Sequence, residues 1–295
     1  MAKLTLLESA RESIQHGIDH YLETGMEIIN YKQAVINFQV GVELLLKERL
    51  RRENEIFVYD KYDFDSLLNV LIEDQAILLE KPKEKRPNTA SFTEVMRRIR
   101  FFSKAAKDHY RDLSALSKVR NDFVHYEAEI QPEMLEVLVG IRLFSFLRDF
   151  LGPELELDLE EFLGEERYQA LVNISTAVRE KMESTVAKKI ELARRQYRQL
   201  PDADLEDRRS RHRRVVERIS ADCGTTFELA ECPACGEECI LFLGVDVDDE
   251  SGMPTSLFIR ELMCGVCRLN LQDDETLPFE NLLTPEQDWN EYYLR

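Results

Sequence analysis

The stretch Arg120-Asn121-Asp122-Phe123-Val124-His125 brings a permanent cation, an amide, a carboxylate and an imidazole close together. A guanidinium can clamp a phosphate through paired N–H groups, and histidine is the side chain that changes charge near neutral pH. In a phosphodiester cleavage that uses no metal, His125 would take the proton of a ribose 2′-hydroxyl or give one to the leaving 5′-oxygen. Arg120 would hydrogen-bond the phosphate and stabilise the added negative charge of the phosphorane. Asn121 would orient the phosphate or the imidazole. RNA would leave a 2′,3′-cyclic phosphate and a 5′-hydroxyl, and DNA would resist for want of the 2′-hydroxyl. Asp122 reads either as a holder of Arg120 or His125 or as a surface acid. A plainer reading has Arg120 and His125 tying helix ends together by hydrogen bonds.

A second chemistry lies near the C-terminus. Cys232-Pro233-Ala234-Cys235 and Cys264-Gly265-Val266-Cys267 are two Cys-x-x-Cys knuckles separated by 28 residues. Four thiolates at this spacing form the tetrahedral set of structural Zn²⁺, closed to water and therefore not catalytic. Gly236 and Gly265 ease the tight turns. With strands between and beside the knuckles, the segment resembles a zinc ribbon. Its role is either to hold together about 50 residues too few to build a core or to contact nucleic acid or a partner. Cys223 and Cys239 lack a knuckle partner, and Cys239 reads as a buried strand thiol. The chain starts without an apolar run of signal-peptide length, so a cytoplasmic protein is expected, with no membrane segment. In that reducing setting cysteines are metal ligands before disulfides.

The elements that would position these residues are mostly helical. Only 11 Gly and 9 Pro in 295 residues argue against a turn-rich β fold. Periodicity predicts helices over Leu6–Leu22, Tyr31–Arg52, Asp65 to about Gln75, from a Ser91–Glu94 capping box onward, Asp108 to about Tyr126, and Pro132–Phe150. Lys81–Asn88 reads as a loop, and Gly152-Pro153 marks a boundary. The expected architecture is mainly α: a helical bundle over 1–152, a helical connector over 153–221 that is basic in its second half, a small β-rich zinc ribbon over 222–272, and an acidic tail over 273–295 that packs weakly or not at all.

The formal net charge is −18, unfavourable for a polyanion binder. Yet Arg179–Arg218 carries 13 Lys/Arg against 8 Asp/Glu, a local +5 that leaves −23 elsewhere. Such a segment either guides a polyanion or is a solvated helix laced with i,i+4 ion pairs. Arg97, Arg98, Lys188, Lys189, Arg194 and Arg195 are the candidate nucleic-acid contacts, with a solvated face as the alternative. His16, His20, His109 and His212 read as single histidines on polar faces, with structural or surface roles.

Arg120-Asn121-x-x-x-His125, at the end of a late helix, resembles the Arg-x(4–6)-His signature of HEPN domains. Gln33-Ala34, Glu43 and Lys47 fall where the long second helix of those bundles would lie. The resemblance covers about residues 5–152, with a longer insertion near 57–107. It implies a helical bundle that forms a homodimer with the motifs meeting at the interface. Active members are metal-independent endoribonucleases in toxin–antitoxin, antiphage or RNA-processing settings, paired in some cases with an antitoxin or regulatory protein; others are non-catalytic scaffolds. Glu43 then either reaches the active-site network or pairs with Lys47. On an ideal helix Arg120 and His125 point about 140° apart, so a joint role needs a kink or a second subunit.

Overall fold

The computed structural model describes residues 4–23, 28–60, 88–125, 131–221, 226–247 and 254–282. The chain forms two compact units, Met1–Thr176 and Ala177–Arg295. It is mainly helical, with one small four-stranded antiparallel sheet near the C-terminus, as expected. The expected 65–75 helix, the 81–87 part of the loop, Cys223 and residues 283–295 lie outside the described residues.

In the first unit, α1 (Leu6–Leu22) opens with a reciprocal capping box. The Glu8 amide donates to the Thr5 hydroxyl at 3.1 Å, and the Thr5 amide donates to the Glu8 carboxylate at 2.8 Å. α2 (Ile28–Glu53) buries its stripe of Ala34, Val35, Phe38, Val42, Leu45, Leu46 and Leu50 almost completely. The two helices approach closely where side chains are missing. A Cβ on Gly17 would lie 2.5 Å from the Phe38 ring, and one on Gly41 would lie 2.6 Å from Ile14.

α3 (Phe92–Ile99) starts at Ser91, whose hydroxyl accepts from the Glu94 amide at 3.4 Å. The Glu94 carboxylate is spent on Arg97 and Arg98. α4 (Lys104–Asp108) leads into α5 (Tyr110–His125). From Pro132 the chain runs through α6 (Pro132–Val137), a π-helical segment Leu138–Leu143 and α7 (Phe144–Leu155).

Gly152-Pro153 does not end this run. It stops at Glu156, which takes a left-handed φ of 58°. Nor does packing break there. α8 (Leu159–Leu163) and the start of α9 (Glu165–Arg198) bury Phe162, Leu163 and Leu171 in the core that holds α1 and α2. With Leu155 also buried, and with Arg167 gripping Asp19 of α1, these side chains keep 153–176 with the bundle.

His109 is not the polar-face histidine expected. It is 14% exposed at the α4–α5 junction, with Nδ1 3.0 Å from Asp112 and Nε2 3.0 Å from Asp149 of α7. Its ring edge meets Phe146. A carboxylate at each nitrogen requires both to be donors, the imidazolium form. Burial opposes that charge, but the hydrogen bonds to Asp112 and Asp149 outweigh it and raise the pKa above 6.5. A raised histidine pKa contributes stability that is complete below the unfolded value and is lost as pH rises through the folded value. The melting temperature is therefore expected to fall as pH climbs above about 6.5, and His109→Gln should flatten that slope. An unchanged profile in the variant would exclude His109 as its source.

In the second unit, β1 (Phe227–Glu231), β2 (Glu238–Val247), β3 (Pro254–Met263) and β4 (Asn270–Gln272) pair antiparallel in that order. The second half of α9 and α10 (Asp202–Ser220) are not a free connector. Val186, Ile190, Ala193, Tyr197 and Leu205 share one core with the cysteines and the strands. The acidic tail also packs in its first part. Asp273–Leu282 is a 3₁₀ segment in which Thr276 is fully buried and donates to the Ile259 carbonyl at 2.6 Å, and Phe279 joins the core. Among the described residues, no helix is long and apolar enough to cross a membrane.

Candidate active site and metal centre

α5 is an unbroken α-helix through His125, held from below by buried Phe123 and packed on α2 and the π segment. With no kink, Arg120 and His125 leave the helix about 140° apart, and no hydrogen bond joins them among the described residues. Asn121 and His125 are exposed; Arg120 and Asp122 are half-buried. Arg120 Nη1 donates to Asn121 Oδ1 at 3.0 Å, which fixes the guanidinium beside the amide. Its Nε is buried without a partner. Among the described residues no carboxylate pairs with Arg120.

Arg49, Arg51, Arg52, Arg97, Arg98, Arg142, Arg148 and Arg167 each hold a carboxylate. Arg11 and Arg100 share the buried, unpartnered Nε of Arg120, and each lies over a phenyl ring, of Phe162 and Phe101. Beside the motif, Val124 is 40% exposed and Met134, in the first turn of α6, is 43% exposed. Ile28 and Leu22 at the α1–α2 corner are exposed as well. Burial, together with the charge of Glu136 on α6, pushes the Tyr21 hydroxyl up to about 12.

Glu43 takes the ion-pair option. Lys47 Nζ, almost fully buried, donates to it at 2.7 Å and to Thr89 Oγ1 at 3.2 Å. No hydrogen bond carries Glu43 or Asp122 to Arg120 or His125 among the described residues. Arg97 and Arg98 do not form an open basic path. Both grip Glu94, and Arg98 also donates to the carbonyls of Phe57, Tyr59 and Asp60.

The four knuckle cysteines come together as expected. Cys232 and Cys267 sulfurs lie 3.6 Å apart, Cys235 and Cys264 3.7 Å, and all four fall within 4.8 Å of one another. A tetrahedron with metal–sulfur bonds of about 2.3 Å has edges of about 3.8 Å, so the donor set fits a tetrahedral ion. Hydrogen bonds among the four sulfurs lower the Cys232 thiol and raise those of Cys235 and Cys267, so all four can ionise together only around a positive charge. Four thiolates this close need a cation. Cys239, fully buried, is pushed up to about 12 by burial and by the sulfurs of Cys232 and Cys264. It is a neutral core thiol.

The helical hairpin closes over the knuckles. Arg194 donates to the carbonyls of Pro233 at 3.0 Å and Ala234 at 3.3 Å, inside the first knuckle. Arg208 donates to the Val266 carbonyl at 3.1 Å, inside the second. His212 is 4% exposed and lies against Gly265, where any Cβ would meet its Nδ1 at 2.8 Å. Tyr197 and Arg209 both bond Glu237. Two guanidinium groups thus hold the backbone of both knuckles, in the manner of outer-shell partners at metal sites. Charge counting missed this clasp, because it cannot tell an arginine facing carbonyls from one facing solvent.

Of the remaining candidates on α9, Lys189 pairs with Glu275 and Arg195 with Glu191, while Lys188 is exposed. No family model, curated protein or solved structure matches the chain. Fold and site define a mainly helical protein with a four-cysteine cluster that could hold a metal ion.

Proposed function

We propose that this protein is a metal-independent endoribonuclease of HEPN type, acting as a homodimer in a defence or toxin setting. The observation that carries the reading is Arg120: a cation with a buried, unpartnered Nε and, among the described residues, no carboxylate, one residue from an exposed Asn121 and five from an exposed His125. An unneutralised guanidinium is what a phosphate requires. Straight α5 cannot aim Arg120 and His125 at one phosphate, so Arg120 of one subunit works with His125 of the other. The exposed apolar side chains of Val124 and Met134 suit burial in that contact. His125 moves the proton of the 2′-hydroxyl or of the leaving oxygen, and Arg120 holds the phosphorane oxygens.

The four cysteines hold Zn²⁺ in a zinc ribbon. Zinc supplies fold stability there, since four thiolates leave no position for water. The clasped knuckles favour this holding role over direct contact with nucleic acid.

The test is cleavage of a single-stranded oligoribonucleotide with EDTA present to remove free Mg²⁺. Fragments ending in 2′,3′-cyclic phosphate are expected, and a deoxyribose at the cut position should abolish the cut. Cleavage at deoxyribose would exclude the mechanism. No cleavage of any RNA would leave the non-catalytic scaffold, and a cognate protein that masks the exposed motif would mark an antitoxin.

A further inference from the structure

We propose that the outward face of α10, formed by Arg211, Arg214 and Arg218, is a docking strip for the phosphate backbone of single-stranded RNA. The choice of RNA rests on the ribonuclease reading; the strip itself rests on how α10 is held. At about 100° per residue, Leu205, Arg208, Arg209 and His212 share one side of α10. That side is the one committed to the core, to Val266, to Glu237 and to Gly265. Arg211, Arg214 and Arg218 fall on the opposite side, spread over about 10 Å of helix, and all three are exposed.

Their present partners are weak. Among the described residues Arg211 meets only Asp207 of its own helix, both more than half exposed, and such a solvated pair is weak and exchanges readily. Arg214 donates to the Ser210 carbonyl at 3.3 Å. Neither Arg214 nor Arg218 has a carboxylate partner among the described residues. Arg213 lies beside the strip, 65% exposed and paired with Glu206. No large apolar side chain stands on this face, and Val215 sits to its flank. A protein partner would need desolvated apolar anchors, whereas a phosphate chain needs only guanidinium groups at intervals. The clasp on the second knuckle makes α10 a rigid support for that role. The strip also lies apart from Lys189, Arg194 and Arg195, whose charges are already engaged.

The experiment is fluorescence anisotropy of labelled single-stranded RNA with the full chain carrying His125→Ala, so that binding is read without cleavage. Adding Arg211→Gln, Arg214→Gln and Arg218→Gln together should weaken binding by about 10-fold or more at ~0.1 M salt. The slope of log K against log salt should fall by about 2, near 0.7 for each phosphate that is no longer neutralised. The variant should melt at the parent's temperature, because these side chains are exposed. Unchanged affinity and slope would overturn the strip, as would absence of RNA binding by the parent. So would loss of binding to polyglutamate with RNA binding intact, which would assign the face to an acidic protein. Failure of cleavage alone bears on the ribonuclease reading and leaves the strip standing.

Discussion

Serine at Cys232 is expected to cost the protein its metal and, with it, the fold of the second unit, while the first unit stays intact. Structural zinc sites contribute about 10–16 kcal/mol of apparent binding energy, which small modules spend on folding. Here the dependence reaches beyond the strands. Arg194 and Arg208 bond knuckle carbonyls, and His212 rests on Gly265. The second half of α9 and α10 therefore lose their footing when the knuckles open. Metal analysis should fall from one ion per chain to none, far-UV circular dichroism should lose helix as well as strand, and protease should cut between 177 and 282. Loss of metal with full retention of helix would show that the hairpin stands alone and that the clasp is incidental.

Alanine at His125 or at Arg120 is expected to lower the rate of RNA cleavage by about 10²–10⁴ each. His125 is exposed and Arg120 makes one hydrogen bond among the described residues, to its own neighbour, so neither change should shift the melting temperature by more than about a degree or two. Arg120→Lys should recover only part of the loss, because an ammonium keeps the charge but not the planar fork. A drop in rate that tracked a drop in stability would instead support the plainer role of tying helix ends.

Much of the fold was legible because burial writes a period into helices. The bounds of α1 and the buried stripe of α2 follow from apolar spacing alone. The knuckles were legible because two thiolates per ion impose a fixed spacing. What escaped depended on direction more than residue type. α9 and α10 read as a basic connector because their charges were counted without a face, yet Leu205, Arg208 and His212 turn inward. The 153–176 stretch read as the start of a connector, although Leu155, Phe162, Leu163 and Leu171 are buried with the bundle. β4 spans three residues, too short for alternation to show. His109 looked solitary because Asp149 lies 40 residues away in sequence. At the motif, the types of Arg120, Asn121 and His125 were legible. The unpartnered Nε and the straight run of α5 required coordinates.

The measurement that bears most directly on the composite site is complementation between two dead proteins. Arg120→Ala and His125→Ala chains, each inactive alone, are mixed under conditions that exchange subunits, and cleavage of single-stranded RNA is followed. If Arg120 of one subunit serves His125 of the other, each mixed dimer has one intact site and one doubly defective site. Random exchange should then restore about one quarter of the activity of the unmodified protein. No recovery, with subunit exchange verified and the unmodified chain active, would contradict a site shared between two copies.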